Sequence, residues 1–431
     1  MATKQAASWR RIRRILLLIF NLVIILFFSA CEPRERINVF DPLADIDSLD
    51  LGLAITSADS VIGLRWHAPT TVDYTGFHIY RKTGSETEYR RIASLTAGQT
   101  VYEDTVTDFD VLYSYYVTVQ GQSGESPPSY SEKVTPGPLS FWVLDNWLYI
   151  TLHLTYDLQH TLVTRYGVWQ PQSMALDRTR HRALITYPAF QYFEVIDTRN
   201  AAGLAYNYEL DSPYETVYIE SIGEFWLCDS SGGVFRVDTT NGLARLISDE
   251  PRKPVQMVTD AEFVYILDKG TKSIQMFNLQ GDFVGRISKL DTIPLNNPQF
   301  IEAAAQNNVL LIIDMNKDGK TLYRYSVNND SVRQLFSSDG LHTVREAKSG
   351  AYLWLSVNNE QGAELVQLST HGLRLNSLNR FKYIRDFRIN TFNGALLVAD
   401  TGHRELVHIR PDGTVIGRYP QTIYPLRVYI Q

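Results

Sequence analysis

From residue 141 onward the chain repeats itself, and this repeat restricts the fold more than any other feature. Each unit holds an apolar run that ends in a polar turn, then a second run and a third. In the clearest unit, Leu396-Leu397-Val398-Ala399-Asp400 leads through Thr401-Gly402-His403-Arg404 into Glu405-Leu406-Val407-His408-Ile409, then Pro411-Asp412-Gly413 and Val415 to Tyr419. Similar runs end at Asp229, Asp268 and Asp314, with weaker copies ending at Asp145, Tyr187 and Val357. Taken as anchors in chain order, these positions are separated by 42, 42, 39, 46, 43 and 43 residues.

A period near 43 with about four strands per unit predicts the blades of a β-propeller, because one such unit cannot bury its apolar faces alone and must stack on its neighbours. A short leading strand precedes each unit, introduced by Pro171, Pro213, Pro254 and Pro298, with counterparts near His342 and Tyr383. The seventh leading strand stands at the C-terminus, at Pro425-Leu426-Arg427-Val428-Tyr429, while the first unit lacks one. The economical solution pairs the last strand with the first unit, which leaves no open sheet edge. The expected class is therefore all-β, with a seven-bladed propeller over 139–431; six blades after an irregular 141–168 segment is the alternative.

The start of the chain reads as an address. Lys4, Arg10, Arg11, Arg13 and Arg14 precede an apolar run from Ile15 to Phe28 that only Asn21 interrupts. A basic segment, a short apolar segment and small residues describe a secretory signal, too short to span a membrane at about 20 residues. Phe28-Ser29-Ala30-Cys31 resembles the bacterial lipobox, with Phe28 where Leu or Val is usual. That resemblance implies cleavage after Ala30 and acylation of Cys31, which anchors the chain to the membrane outside the cytoplasm; an uncleaved signal anchor is the alternative. Residues 31–48 are polar and acidic and read as a tether.

The charge balance depends on this division. The chain has 431 residues, with 41 Lys+Arg against 47 Asp+Glu. Without the five bases of the address, 36 bases face 47 acids, a balance of −11. So acidic a body lacks the clustered positive charge that phosphate neutralisation needs, and nucleic acid is excluded as a partner. Apolar residues at 44% and aromatics at 12% exclude whole-chain disorder. Cys228, the only cysteine besides Cys31, sits within Phe225-Trp226-Leu227 and reads as a buried small hydrophobe.

Residues 49–136 alternate short apolar stretches with turns at the spacing of a β-sandwich. Val61 to Trp66, Gly76 to Arg81 and Leu112 to Val119 read as strands. With Trp66, Tyr80, Tyr113 and Gly124-Glu125-Ser126-Pro127-Pro128-Ser129 in order, the segment resembles a fibronectin type III domain. The resemblance implies a core role for Trp66 and a corner role for Tyr113, whose hydroxyl would bond back to the chain. No Arg-Gly-Asp sequence is present, and the domain reads as a spacer.

The 395–419 unit resembles an NHL repeat through Val398-Ala399-Asp400-Thr401-Gly402, His403-Arg404 and Pro411-Asp412-Gly413, and the 263–287 unit is a fair match. The relatives of such propellers include lyases, lactonases and protein-binding modules. Asp229, Asp268, Asp314 and Asp400 read as turn formers, since Asp bonds its own backbone in turns. The leading strands offer Glu215, Gln256, Glu302, His342, Arg345, Glu346, Arg385, Asp386 and Arg427 to a central channel. This set mixes both signs and is nearly free of His, which suits ion pairing better than a metal.

No catalytic or cofactor-binding residue is assigned. No His-Glu-x-x-His, Gly-x-Ser-x-Gly or phosphate-cradling loop occurs. Asp314, Asn316, Asp318 and Gly319 match the start of a calcium loop, but Tyr325 stands where its distal acid belongs. A calcium site at Asp314, Asn316 and Asp318 is one reading of this segment and a hairpin turn is the other. By analogy with the fold, a partner would meet the turns between second and third strands: Tyr187, Phe190, Lys269, Lys272, Lys317, Lys320, Asn358, His403 and Arg404. Exposed aromatics beside Lys and Arg suit a protein or polysaccharide. The expected function is a membrane-anchored binding or scaffolding lipoprotein, and the alternative is an envelope hydrolase or lyase with a metal in the channel.

Overall fold

The computed structural model describes residues 38–40, 46–58, 61–70, 72–122, 124–166 and 170–431. The lipobox with Cys31 and most of the tether lie outside them. The described chain is built of strands, with one 3-10 turn at Pro188–Phe190. Among the described residues, no helix is long and apolar enough to cross a membrane. Two compact units emerge, one of residues up to 54 with 65–102 and 114–132, the other of 55–64, 103–113 and 133–431.

In the first unit, Trp66 is buried with its ring edge-on to Phe77, the centroids 5.5 Å apart. The strand Gly76–Thr83 lies between Arg90–Thr96 and Tyr113–Gln120, and Glu132–Val134 completes that sheet. Within 103–113, which belongs to the other unit, the Tyr113 hydroxyl accepts the Asp108 N–H at 2.8 Å.

The second unit contains seven four-stranded antiparallel sheets. Six are continuous in sequence, spanning 173–207, 213–248, 254–287, 298–337, 341–381 and 384–419. The seventh is composite: Phe141–Asp145, Ile150–Leu154 and Thr161–Arg165 are joined by the C-terminal strand Pro425–Ile430, which pairs with Phe141–Asp145.

Second strands such as Phe225-Trp226-Leu227-Cys228-Asp229 read as unbroken apolar runs because both of their faces are covered. Alternation along the strand sends Phe225 and Leu227 into a cluster with Ala175, Leu184 and Val195 of the preceding sheet. Trp226 and Cys228 point the other way, into a cluster with Met257, Val264 and Ile266 of the following sheet. Cys228 is a free thiol, fully buried, and that burial pushes its pKa well up. It fills space as a hydrophobe does.

The same two-sided packing recurs between each pair of successive sheets, in seven hydrophobic clusters. One of them joins Leu397, Ala399 and Leu406 of the 384–419 sheet to Phe141, Val143 and Val428 of the composite sheet. Another joins Trp142 and Leu144 of the composite sheet to Met174, Ala183 and Ile185. The packing order therefore returns to where it began.

Candidate functional site: a cavity at the start of the first strands

The first strands of the sheets line two cavities, one near their beginnings and one near their ends. The first has a volume of about 370 Å³. Its wall is made by a feature repeated in six sheets. Between the first and third residues of the first strand the register slips, at 213/215, 254/256, 298/300, 341/343, 384/386 and 425/427. A bulge leaves the extra residue unpaired and re-aims its side chain. The six displaced residues are Tyr214, Val255, Gln299, His342, Arg385 and Leu426, and all six line the cavity.

Below this ring the next residues form an ion-pair network. The buried Arg345 guanidinium bonds Glu302 at 2.6 Å and Asp386 at 2.8 Å. Arg427 meets Glu215 at 3.1 Å, and Arg388 lies 3.8 Å from Asp386. The second Asp386 oxygen accepts the Val428 N–H. Burial opposes ionisation of Asp386, but Arg388, Arg345 and Arg427 outweigh it and hold its pKa below the usual value. Burial likewise opposes the charge on Arg427, and Glu215 outweighs it, raising its pKa. Three carboxylates thus face three guanidinium groups. Gln256 is spent too, its amide bonding the Ile301 backbone at 2.7 and 3.0 Å, and Glu346 pairs with Arg324 at 2.6 Å. A metal needs carboxylates or imidazoles with free lone pairs converging on one point, and these carboxylates are committed to guanidinium groups.

The second-strand aspartates serve the scaffold. Asp268 accepts the Arg252 and Lys253 N–H groups at 3.1 and 2.8 Å. Asp314 does the same for Asn296 and Asn297, Asp400 for Lys382 and Tyr383, and Asp145 for Ile423 and Tyr424. Each carboxylate ties its own turn to the loop that enters the first strand of the same sheet. In the 341–381 sheet Val357 stands at that position, and the next residue, Asn358, reaches instead to the following sheet, its amide bonding both backbone groups of Ile384 at 2.9 Å. Gly402 fits this junction because a Cβ there would stand 2.7 Å from Tyr383 N.

At the calcium-like segment, Val309–Asn316 and Gly319–Ser326 form a hairpin whose turn is Lys317-Asp318. Both Asp314 oxygens accept backbone N–H groups, and Asn316 accepts the Asp318 N–H at 2.8 Å. The segment is spent on its turn and holds no open oxygen cage. Asp400, His403 and Glu405 also cluster. There, Asp400 already binds four backbone N–H groups and His403, while Glu405 holds Arg418 at 2.7 and 2.9 Å.

No protein-family model matches the chain, and no curated protein does either. Solved structures do. A functionally unknown protein from Desulfotomaculum acetoxidans DSM 771 is 12% identical at a TM-score of 0.55, over 68% of this chain and 98% of its own. The periplasmic gluconolactonase of Pseudomonas aeruginosa is 12% identical at a TM-score of 0.53, again over 68% of this chain and 98% of its own. The chain has a β-propeller-type fold. At this level of identity the likeness is one of fold alone.

Of the residues expected on the propeller's binding end, Lys269 and Lys320 line the cavity. Each reaches the first strand of the next sheet, Lys269 Nζ donating to the Pro298 carbonyl at 2.6 Å and Lys320 Nζ to that of Leu341 at 2.9 Å. Lys272, Lys317, Phe190, His403 and Arg404 are exposed on the turns, and Asn358 is occupied as described. Tyr187 overturns the expectation of an exposed aromatic. It ends the strand Arg182–Tyr187, and alternation places it with Ala183 and Ile185 in the packed face, fully buried. Its hydroxyl donates to Glu194 at 2.8 Å, and burial pushes its pKa well up. Exposed aromatics nearby are Phe190 on the turn, Tyr206 on the outer strand and Tyr208 just beyond it.

Sequence reasoning singled out His342, Arg385 and Arg427 for the channel but missed Tyr214 and Gln299. The signal for them was present, since each directly follows a strand-opening proline. His342 is half-buried and its pKa falls to about 4, through burial and then the nearby charges of Arg385 and Lys320.

Proposed function

We propose that this protein is a lipid-anchored lipoprotein of the bacterial cell envelope that binds a partner across one end of a seven-bladed propeller. The observation that carries the binding reading is the pairing of Glu215, Glu302 and Asp386 with Arg427, Arg345 and Arg388. This leaves the channel without the free ligands a hydrolase or lyase metal would need. The bulged ring above it lines a cavity with its side chains, as a recognition surface does.

In this reading residues 1–30 are the signal peptide and 31–48 the tether. Residues 49–136 form a fibronectin type III-like spacer, and 139–431 the NHL-like propeller. Seven inter-sheet clusters that return to their starting point support seven blades over six. The Tyr113 to Asp108 bond supports the spacer assignment. The partner is a protein or polysaccharide meeting Phe190, Lys272, Lys317, His403 and Arg404 around the mouth.

The anchor is tested by Cys31→Ser. Metabolic labelling with palmitate followed by membrane fractionation should show a lipid-labelled mature protein for the natural chain. The variant should accumulate as unlabelled precursor of higher mass, because the acylated sulfur is gone; multiple acyl chains, at about 0.8 kcal/mol per buried methylene, would otherwise hold the protein on the membrane. Normal processing of the variant, with release into the soluble fraction of mature protein identical in mass to the natural chain, would end the lipoprotein reading.

A further inference from the structure

We infer that the cavity at the start of the first strands binds a small, multiply charged oxyanion, a phosphate- or polycarboxylate-bearing molecule. This goes beyond the rim partner proposed above and rests on the charges lining the cavity itself. Lys269, Lys320, Arg385 and Arg427 line it, against Asp386 as its one carboxylate.

The pairing sorts these charges. Arg427 is balanced by Glu215, and both Asp386 oxygens are taken, one by Arg345 and one by the Val428 N–H. Lys269, Lys320 and Arg385 are left. Among the described residues none of the three forms an ion pair. Each lysine spends one of its three donors on the next strand's carbonyl. Arg385 sits at a bulge that turns it into the cavity, half-buried, with its guanidinium making no hydrogen bond among the described residues.

Half-buried cations are ordinarily matched by carboxylates. Here an otherwise acidic chain concentrates three unmatched ones in about 370 Å³, a volume within the range of small-ligand sites. Burial lowers the Lys269 pKa even with Asp314 nearby, so an incoming anion would strengthen its charge. The planar fork of Arg385 suits two oxygens of one phosphate or carboxylate group. Gln172, Gln299 and Tyr214 can bond the uncharged remainder of the ligand.

Calorimetric titration of the purified chain with inorganic phosphate and with citrate, at matched ionic strength in chloride, tests this. Saturable one-to-one binding of at least one of them is expected; phosphate alone assigns a phosphate group, and citrate alone a polycarboxylate. Arg385→Gln should weaken that binding at least tenfold, since a hydrogen bond to a charged group contributes about 1.5–3 kcal/mol. Arg385→Lys should retain part of it, and Lys289→Gln, on a remote exposed strand, should change nothing. Neither variant at 385 loses an internal hydrogen bond, so both should keep the parent's thermal midpoint. No saturable binding of either anion, or equal binding by Arg385→Gln, would overturn the inference. Rim crosslinking to a macromolecule would be untouched by that failure, so the two readings fail separately.

Discussion

Deleting residues 425–431 should leave the propeller unable to fold. The lost strand supplies the fourth member of the composite sheet and its pairing with Phe141–Asp145. Its departure uncovers an apolar edge strand in the middle of the packed structure, which favours association with other chains. It also removes the buried Leu426 and Val428, at about 2–5 kcal/mol for each such side chain. The Arg427 to Glu215 pair goes with it, as does the Tyr429 hydroxyl that accepts the Met174 N–H at 2.8 Å. Together these losses match or exceed a typical domain stability of about 5–15 kcal/mol. The check is soluble yield and cooperative unfolding. A transposed chain separates lost pairing from lost length: residues 425–431 placed ahead of Ser140, with a flexible lead-in and a two-residue turn, should fold. Gln431 and Ser140 already exchange backbone hydrogen bonds, so a hairpin fits there. Cooperative unfolding of the truncated chain at the parent's midpoint would refute the closure.

Asp386→Ala should be the most damaging single substitution in the channel. It leaves Arg345 with Glu302 as its one carboxylate, takes the only carboxylate from Arg388 among the described residues, and leaves the Val428 N–H unbonded. Breaking a buried pair from one side costs about 3–5 kcal/mol, because the surviving charge stays buried. Asp386→Asn should cost less, since an amide oxygen can still accept from Val428. Denaturant unfolding measures both. A loss for Asp386→Ala within about 0.5 kcal/mol, the level of an indifferent surface change, would mean that the network is hydrated and loosely held.

The two predictions draw on different parts of the sequence. The first was legible before any coordinates, because counting leading strands left one too many at the end and one too few at the start. The unbroken apolar runs likewise announced strands covered on both faces. The network was legible only as an inventory. Sequence places Glu215, Asp386 and Arg345 on first strands, but which carboxylate meets which guanidinium depends on contacts between sheets, 41 and 43 residues apart for the partners of Arg345 and 212 for Arg427 and Glu215. The bulges were beyond reach for a related reason. A one-residue slip leaves composition and period unchanged, yet it decides that Arg385 reaches the cavity unpaired while its neighbour Asp386, also in the lining, is held by the network. Tyr187 shows the opposite case: it stands next to a turn, but strict alternation from Ala183 and Ile185 turns it inward.

A binding protein of this design must meet its partner in the cell through the end of the propeller that carries the cavity. Photo-reactive residues at Phe190 and His403 report on that end, and one at Thr391, which lines the cavity at the other end of the first strands, serves as the comparison. In intact cells the account predicts a discrete crosslinked species from Phe190 and His403 and none from Thr391. Crosslinking confined to Thr391, or no crosslink from either rim position, would contradict it.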